Sequence, residues 1–469
     1  MTQKFDMAII GGGPGGYVAA LRARQLGLSV ALAEKERVGG VCLNRGCIPT
    51  KTLLSHVDGL LWVRRSVREG ILDREPTLDF SAMMRRKNEI VENIVSGLEE
   101  LLVGSGVVLY NANARISEPG VLVTSLGDTI TASNIIIGTG AKPWIPPIPG
   151  ADLPGVVSTR QALALEKVPP SIVIIGGGVV GQEFAAIFSG LGSRVTVLEA
   201  LDRILTEVDV EIARRYVSLQ RPRGIMTEES VQVRSIETAG DLLRVIYERK
   251  AKEKTVDADL VLMATGRRPN IEGSGIEDLG ITLSDGAIEV DGFLRTSVPG
   301  IYAIGDVLGR QMLAHVASYH GEIVAENVAG HEKPVNETAI PACVFTSPQI
   351  AWVGLTEEEA RKTGHTFRAS TFSLSASGMA QALGESRGLI KLIEDTGTGR
   401  LIGVHLFGPH VSELIGEATL AVRKGLSASD LAGTIHAHPT ISEALREAAL
   451  GLLGGPIHAQ ARTRTVEPS

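Results

Sequence analysis

Two segments of this chain repeat one pattern, and that repeat constrains the fold more than any other feature of the sequence. Residues 7–34 read MAIIGGGPGGYVAALRARQLGLSVALAE, and residues 172–199 read IVIIGGGVVGQEFAAIFSGLGSRVTVLE. Each copy contains an apolar β-type run, a glycine cluster, a helical stretch, a break with glycine and a second β-type run that ends at a glutamate. Strands that alternate with helices predict βαβ units with parallel sheets. We therefore expect an α/β fold that contains this unit twice.

The glycines of both copies fill the same G-x-G-x-x-G frame. In such a frame the first glycine permits a tight strand-to-helix turn, the second lets the backbone approach a pyrophosphate, and the third lets the helix pack closely on the strand. The pyrophosphate then lies at the helix N-terminus, where free N–H groups favour negative charge. Because strand, frame, helix, strand and acid recur in register, the repeat predicts two Rossmann-like dinucleotide-binding domains. The predicted cofactor-binding glycines are Gly11, Gly13 and Gly16 in the first copy and Gly176, Gly178 and Gly181 in the second.

A glutamate ends each copy, 23 residues after the first glycine of the frame: Glu34 in the first copy and Glu199 in the second. A carboxylate in this position accepts hydrogen bonds from a ribose diol and repels a 2′-phosphate, so Glu199 favours NAD over NADP. Two further apolar runs end in the tripeptides GTG and ATG, whose last residues are Gly140 and Gly266. We expect both runs to end at the nucleotide-binding edges of the sheets, where these glycines contact the cofactors.

The composition excludes several classes of function. The net charge is −7 and aromatic residues make up 4% of the chain, which disfavours nucleic acid as a partner because phosphates bind basic surfaces and bases stack on aromatic rings. The longest uncharged stretch, residues 338–356, is interrupted by prolines and polar residues, so we expect no membrane segment. The N-terminus has no signal-peptide core, and three cysteines do not make a disulfide framework. We expect a cytoplasmic protein.

Two of the cysteines lie in the segment GGVCLNRGCIPTK, residues 39–51. We expect Cys47 at a helix N-terminus, because the proline two residues later is tolerated near a helix start. The helix end and the nearby Lys51 then lower the pKa of a thiol and favour the thiolate. Arg45, between the two thiols, is expected to point to solvent. Two buried apolar cysteines or half of a zinc site are the alternatives, but no further zinc ligands lie near Cys42 and Cys47, so we expect thiol redox chemistry and no metal site.

The C-terminal segment HAHPTISE, residues 436–443, contains a candidate base. A thiol substrate becomes a nucleophile when a base removes its proton, and histidine titrates near neutral pH. The imidazole needs an acceptor that holds its tautomer, and Glu443 can fold back across Pro439 to do this for His438. Considered alone, a histidine is more often a hydrogen-bonded structural residue, and that is the role we expect for His436.

The cysteine segment, the two glycine frames and the histidine segment together resemble the flavoprotein disulfide reductase family over essentially the whole chain. The resemblance implies FAD in the first Rossmann-like domain, NAD in the second and an α+β dimerisation domain at the C-terminus. It implies that Cys42 is the interchange thiol and that Cys47 contacts the flavin. The Gly-Asp after the apolar run 301–304 is similar to the family's second FAD motif, so Asp306 is expected to bind the ribityl chain, with Ala314 as a further cofactor contact.

The same resemblance implies roles for two more pairs of residues. Lys51 and Glu183 match a lysine and a glutamate that family members pair close to the flavin. His438 and Glu443 match the family's catalytic dyad, which the partner subunit of a homodimer contributes to the active site. The catalytic residues implied in this way are Cys42, Cys47, Lys51, Glu183, His438 and Glu443.

Within the family, the chain looks most like the members that oxidise protein-bound dihydrolipoamide to lipoamide and reduce NAD⁺ to NADH. The expected partner is the acyltransferase of a 2-oxo-acid dehydrogenase complex or the carrier protein of glycine cleavage. Members that use NADPH would carry basic residues after Glu199, where Arg203 is the only nearby basic residue, and mercury-reducing members would carry another cysteine pair after Cys343. An NAD(P) transhydrogenase of this fold would usually lack an intact redox cysteine pair. A binding subunit without turnover is disfavoured because the redox cysteines and the dyad are intact.

We divide the chain into four parts: an FAD-binding domain (1–150), an NAD-binding domain (151–275), a central domain that completes the FAD site (276–345) and a C-terminal interface domain (346–469). Residues 387–407 predict a β-hairpin in the last part. Pro222 predicts an early end to the helix before it. The polar segment 460–469 is expected to be mobile.

Overall fold

The first copy of the repeat lies at the centre of a parallel sheet in a computed structural model that describes residues 4–460 and 462–467. The strand order is β3-β2-β1-β6-β5-β4, and the first four strands in this order, β3, β2, β1 and β6, run parallel. The strand β1 is buried along most of its length, as expected for a strand covered on both faces. The elements are β1 (Lys4–Ile10), α1 (Pro14–Gln25), β2 (Val30–Ala33), α2 (Gly40–Arg45), α3 (Cys47–Arg68), α4 (Phe80–Gly104), β3 (Val108–Tyr110), β4 (Ala114–Glu118), β5 (Val121–Thr124) and β6 (Thr129–Ile137).

The second copy of the repeat has the same strand arrangement. Its first strand, β9, lies between β10 and β15, as β1 lies between β2 and β6, and the order β11-β10-β9-β15-β8 is parallel throughout. The helix before Pro222 ends at Gln220, so its predicted early end is confirmed. The elements are β7 (Ala141–Pro143), β8 (Val156–Ser158), α5 (Thr159–Ala162), β9 (Ser171–Ile175), α6 (Val179–Gly190), β10 (Arg194–Leu198), α7 (Val210–Gln220), β11 (Ile225–Glu228), β12 (Val231–Ala239), β13 (Leu242–Arg249), β14 (Lys252–Ala258), β15 (Leu260–Met263) and β16 (Arg267–Pro269).

The remaining chain first returns to the first sheet and then forms an antiparallel sheet of its own. The strand β19 pairs in parallel with β6, and α8 packs against α1. The last sheet has the order β20-β21-β24-β23-β22-β25, and the predicted hairpin is its β23–β24 pair. The elements are β17 (Leu283–Ser284), β18 (Ala287–Ile288), β19 (Ile301–Ala303), α8 (Ala314–Val328), β20 (Ala342–Val344), β21 (Gln349–Gly354), α9 (Glu357–Lys362), β22 (Phe367–Ser373), α10 (Gly378–Ala382), β23 (Leu389–Asp395), β24 (Leu401–Gly408), α11 (Val411–Lys424), α12 (Ala428–Gly433), α13 (Glu443–Leu453) and β25 (Thr463–Val466).

This architecture confirms the expected fold class of two Rossmann-like units and an α+β C-terminal part. Among the helices of the described residues, none combines the length and the apolar character that crossing a membrane would require.

The expectation of a mobile C-terminal segment is wrong for residues 463–466. They form β25, which pairs antiparallel with the sheet strand β22, with Phe367 opposite Val466. A strand added to an open sheet edge satisfies backbone N–H and C=O groups that would otherwise face solvent. Ala461, Pro468 and Ser469, which the same expectation included, lie outside the described residues.

A buried lysine connects the second unit to the C-terminal sheet. Lys391 on β23 is 1% exposed, and its Nζ lies 2.6 Å from Asp209, 2.8 Å from Glu357 and 3.0 Å from Glu211. The two acids Asp209 and Glu211 belong to the start of α7, whereas Glu357 begins α9. Arg464 on β25 adds a second cation through its ion pair with Glu357. The cluster therefore ties three parts of the chain together around one ammonium group.

Candidate active site

The first glycine frame forms a loop in which the backbone packing of the protein leaves no room for a side chain at the first and third glycines. Gly11 has φ +101°, and a side chain there would overlap the carbonyl oxygen of Gly138. A side chain on Gly16 would overlap the carbonyl oxygen of Gly11, so the helix α1 packs directly on the strand end. Gly13 is different, because no protein atom lies within 4 Å of the position its Cβ would take. It is the N-cap of α1 and faces open space.

The second frame repeats this geometry. Gly176 has φ +110° and lies against the carbonyl oxygen of Ala264, and Gly181 lies against Gly176. Gly178, the N-cap of α6, again has no protein atom within 4 Å of its Cβ position. The protein's own packing therefore does not explain the middle glycine of either frame. An anionic group bound at the helix N-terminus does explain it, because such a group must approach the bare backbone.

The glutamate that ends each copy of the repeat accepts a backbone N–H from its own glycine loop. Glu34 accepts the Gly12 N–H at 2.8 Å through Oε2. Glu199, 8% exposed, accepts the Gly177 N–H at 2.5 Å and the Leu201 N–H at 2.8 Å. A carboxylate has about four acceptor positions, so each acid can still accept bonds from a ribose. Each acid thus holds its own glycine loop in shape, a role beyond the ribose contact expected from the sequence.

The strand ends opposite the loops complete the two binding edges. Gly140 and Gly266 have φ +70° and +105°, and neither has a protein atom within 4 Å of its Cβ position. Between the strand end and Gly140, the hydroxyl Oγ1 of Thr139 is buried without a hydrogen-bond partner in the described part of the chain. A buried hydroxyl without a partner is costly, and a bound cofactor with polar groups would satisfy it. The first edge therefore fits a dinucleotide.

Asp306 and Ala314 lie where the chain returns to the first sheet. Asp306 follows β19, and Ala314 is the first residue of α8. Burial raises the pKa of Asp306, although Arg267 lies 3.8 Å away and acts in the opposite direction. Arg267 was not among the residues expected here, and burial lowers its own pKa. Its position directly after Gly266 was the available signal.

The redox cysteines lie on two consecutive helices. Cys42 is on α2, and Cys47 is the first residue of α3, as predicted. Both carry free thiols in this structure and are hydrogen-bonded to each other. The bond from Cys42 lowers the pKa of Cys47 to about 7, and the Lys51 ammonium acts in the same direction against the effect of burial. The same bond and burial raise the pKa of Cys42. The two shifts therefore favour a thiolate on Cys47 over a thiolate on Cys42.

Lys51 and Glu183 form an ion pair beside the cysteines. The Lys51 Nζ lies 2.8 Å from Glu183 Oε2, and the Glu183 side chain is 4% exposed. Glu183 also accepts the backbone N–H of Phe345 at 3.1 Å, and the Lys51 ammonium lies 4.6 Å from the centre of the Phe345 ring. This cation–π contact was missed by the sequence analysis, because nothing in the sequence links residue 345 to residue 51.

The histidine segment folds as a hydrogen-bonded dyad. His438 Nδ1 lies 2.9 Å from Glu443 Oε1, and the other carboxylate oxygen accepts the Thr440 N–H at 2.9 Å. Partial burial alone would raise the pKa of Glu443, but these two bonds outweigh it and lower the pKa. The His438 side chain is 79% exposed in the single chain. His436 is 5% exposed and paired with Glu417 at 3.0 Å, which fits the structural role expected for it.

The expected solvent orientation of Arg45 is wrong. Its guanidinium forms an ion pair with Glu36, and only 24% of its side chain is exposed. Glu36 also lies 3.5 Å from Arg160, so two arginines share one carboxylate. The pair links α2 to the loop that follows β2.

Comparison with known proteins assigns the family. Residues 5–321 match the pyridine nucleotide-disulphide oxidoreductase family, and residues 340–449 match the dimerisation domain of the same family. The chain belongs to this family, whose members use FAD and NAD(H). It is thus a redox enzyme that carries the family's dimerisation domain.

The relatives narrow the assignment. The chain is 38% identical to a dihydrolipoyl dehydrogenase of Bacillus subtilis, over 98% of this chain and 100% of the relative. It is 40% identical to the dihydrolipoyl dehydrogenase of Chlamydia pneumoniae, over 98% and 99% of the two chains. Among solved structures, LpdA of Mycobacterium tuberculosis matches with a TM-score of 0.88 at 28% identity, over 96% and 100% of the chains. The HOCl-induced flavoprotein disulfide reductase RclA of Escherichia coli matches with 0.86 at 30%, over 95% and 99%.

Proposed function

We propose that this chain is a dihydrolipoyl dehydrogenase, which oxidises protein-bound dihydrolipoamide to lipoamide and reduces NAD⁺ to NADH. The observation that carries the proposal is the hydrogen-bonded pair Cys42–Cys47, whose second thiol has its pKa lowered to about 7 beside Lys51. The partner is the lipoyl-bearing acyltransferase of a 2-oxo-acid dehydrogenase complex or the carrier protein of glycine cleavage, and the reaction takes place in the cytoplasm. The near full-length identity with dihydrolipoyl dehydrogenases supports this choice of substrate.

The proposed reaction begins with the enzyme's cysteines joined as a disulfide. His438 Nε2 takes a proton from one substrate thiol, while Glu443 holds the Nδ1–H and stabilises the imidazolium. The substrate thiolate attacks the Cys42 sulfur, which breaks the enzyme disulfide and releases Cys47 as a thiolate. The second substrate thiol then passes its proton to Cys42 as its sulfur attacks the first, which closes the lipoamide ring, breaks the mixed disulfide and releases Cys42 as the protonated partner of the pair. Two electrons now reside on the two cysteines.

The residues around Cys47 support this division of roles. The N-terminus of α3 and the Lys51 ammonium stabilise a thiolate on Cys47, and the released sulfur is therefore the better leaving group. FAD, when bound, supplies the two-electron chemistry that carries these electrons onward to NAD⁺. We assign FAD contacts to Gly11, Gly13, Gly16, Glu34, Lys51, Gly140, Asp306 and Ala314, and NAD contacts to Gly176, Gly178, Gly181, Glu199 and Gly266.

We further infer that the chain works as a homodimer in which the partner subunit supplies the dyad. A base that takes a proton from a substrate must be shielded from bulk water to act efficiently. His438 is 79% exposed on the single chain, which supports an active site completed by a second copy. The matched dimerisation domain, residues 340–449, includes this segment.

The test is NAD⁺ reduction by free dihydrolipoamide with the purified flavin-loaded protein, with NADP⁺ run in parallel. We expect fast NADH formation and a rate near background with NADP⁺, because Glu199 repels a 2′-phosphate. A flavin-loaded protein that is inactive with both nucleotides would remove dihydrolipoamide as the substrate and leave the family assignment unchanged.

A further inference from the structure

The turn that follows β19 is held by a buried histidine. Gly305, which precedes Asp306, has φ +71°, and a Cβ there would lie 2.9 Å from the Cβ of Ala317 on α8. Its backbone N–H donates to Nδ1 of His320 at 3.2 Å. His320 lies one helical turn further along α8 and is 2% exposed. The left-handed turn is thus fixed to the helix by packing on one side and by this hydrogen bond on the other.

The hydrogen bonds define the tautomer of His320. A backbone N–H can only donate, so Nδ1 must be the acceptor and the ring proton must be on Nε2. Nε2 lies 2.7 Å from Glu337 Oε1 and donates to this carboxylate. Burial lowers the pKa of His320, although Glu337 acts in the opposite direction. The neutral ring that the Gly305 bond requires is therefore the form that the surroundings favour.

The turn has one further backbone hydrogen bond, in which the Asp306 carbonyl oxygen accepts the Gly309 N–H at 3.1 Å. The preceding residue, Ile304, donates its N–H to Ile137 in the neighbouring strand at 3.0 Å, which fixes the strand but not the turn. The Asp306 carboxylate has its ionic neighbour Arg267 only at 3.8 Å. Its direction therefore depends on the backbone of the Gly305–Asp306 turn, where His320 supplies the acceptor of the Gly305 N–H.

We propose that His320 is a positioning residue for the flavin site: its Nδ1 fixes the Gly305–Asp306 turn and thereby orients the Asp306 carboxylate toward FAD. The inference rests on the proposed contact between Asp306 and FAD, and it concerns cofactor affinity and not the lipoyl chemistry. Glu337 has a supporting role, because it holds the ring proton on Nε2 and leaves Nδ1 free to accept.

Two amide substitutions separate the two hydrogen bonds of His320. In H320N the side-chain amide occupies the place of Nδ1, so its oxygen can accept the Gly305 N–H. In H320Q the amide reaches the place of Nε2, so the Glu337 contact is kept and the Gly305 bond is lost. The measurement is the dissociation constant of FAD from the apoprotein, followed by flavin fluorescence, together with thermal unfolding of the apoprotein.

We expect H320N to bind FAD within about threefold of the wild type and H320Q to bind at least about tenfold more weakly, because a buried N–H without an acceptor is costly. A purely structural role would lower the apoprotein unfolding temperature equally in both variants, with equal FAD affinities, and that result would overturn the proposal. E337Q, which leaves the Gly305 bond in place, is expected to keep FAD affinity within about threefold. A tenfold loss in E337Q would also overturn the proposal.

The experiment is independent of the proposed substrate. FAD binding is measured without dihydrolipoamide, so an inactive wild-type enzyme would remove the proposed function and leave the His320 result readable. Conversely, an active wild type whose H320Q variant binds FAD normally would remove the role of His320 alone.

Discussion

Lys51 and Glu183 join the two copies of the sequence repeat through one ion pair. The lysine follows the redox cysteines on α3, the glutamate lies on the helix of the second glycine frame, and their charged atoms are 2.8 Å apart. The carboxylate is buried and the ammonium is near Cys47. The charge of Glu183 in the second unit therefore raises the pKa of Cys47 in the first, against the effect of Lys51. The redox pair therefore lies where the two nucleotide-binding units meet.

The first prediction concerns the pH dependence of the reduced cysteines. The pKa of Cys47 is about 7, and only the thiolate is alkylated. The rate of Cys47 alkylation by iodoacetamide should therefore rise with pH, pass its midpoint near pH 7 and level off above it. Mass spectrometry identifies the modified cysteine. A midpoint at the ordinary thiol value of 9.0 would contradict the prediction.

The second prediction separates the two members of the ion pair. K51M removes a cation that lowers the pKa of Cys47, so the alkylation midpoint should move to higher pH. E183Q removes an anion that raises this pKa, so the midpoint should move the other way. Each of these two midpoint shifts should be at most about 1 to 2 pH units. K142M is a matched control, because Lys142 pairs with Glu272 and should leave the midpoint unchanged. Shifts in one direction for both variants would disprove this account.

The third prediction tests the dyad. H438Q should lower the turnover of dihydrolipoamide by about 10² to 10⁴, the range for loss of a general base. It should leave the reduction of an artificial flavin acceptor by NADH unchanged, since that reaction involves no substrate thiol. H436Q is the control, because His436 is buried against Glu417 and should affect stability more than turnover. Full dihydrolipoamide turnover in H438Q would show that another group takes the proton.

The fourth prediction uses the difference between the second and third glycines. Gly178 has φ −71° and no protein atom within 4 Å of its Cβ position, so the apoprotein should tolerate G178A. The KM for NAD⁺ should rise by roughly tenfold or more, since the methyl group occupies the space of the pyrophosphate. G181A should instead destabilise the apoprotein, because its methyl group meets the Gly176 carbonyl. Thermal unfolding and NAD⁺ kinetics distinguish the two, and equal losses of stability would refute the assignment.

The fifth prediction concerns the buried lysine. K391M leaves three carboxylates without their central cation, and loss of one member of a buried ion pair costs about 3 to 5 kcal/mol in the free energy of unfolding. R464A removes an arginine whose side chain is 57% exposed and should cost about 1 kcal/mol or less. Urea unfolding measures both. A smaller cost for K391M than for R464A would mean that the cluster is not held by Lys391.

The same cluster has a pH dependence with a defined sign. Burial alone would raise the pKa of Asp209, but the Lys391 ammonium outweighs it and lowers the folded pKa. Its contribution to stability is therefore complete at neutral pH and is lost as the pH falls through the lowered carboxyl pKa. In K391M burial is no longer opposed by the lysine, so the folded pKa of Asp209 should be higher and the loss of stability on acidification should be smaller than in the wild type.

Much of the candidate site could be predicted because its geometry is local. Each glycine frame, its helix and its terminal acid lie within one βαβ unit, so spacing alone relates Gly11 to Glu34 and Gly176 to Glu199. The position of Cys47 at a helix start was equally readable from the proline that follows it. The four domain limits stay a prediction.

The contacts that were missed or predicted wrongly are nonlocal. Phe345 reaches Lys51 and Glu183 only because β20 passes beside α6, and Arg267 reaches Asp306 because β16 passes beside the turn that follows β19. The ion pair of Arg45 with Glu36 depends on the fold of the loop before α2, which has no periodic pattern. The strand β25 depends on an unpaired sheet edge, and such an edge is a property of the whole sheet and not of the C-terminal segment.

The bracing of the second glycine loop by Glu199 bears on redesign of nucleotide preference. A substitution that removes the Glu199 carboxylate so that a 2′-phosphate can bind also removes the acceptors of the Gly177 and Leu201 N–H groups. Charge selection and loop rigidity are thus encoded in one side chain. An engineered NADP-dependent form would need a new acceptor for these two amides before any added arginine could improve binding.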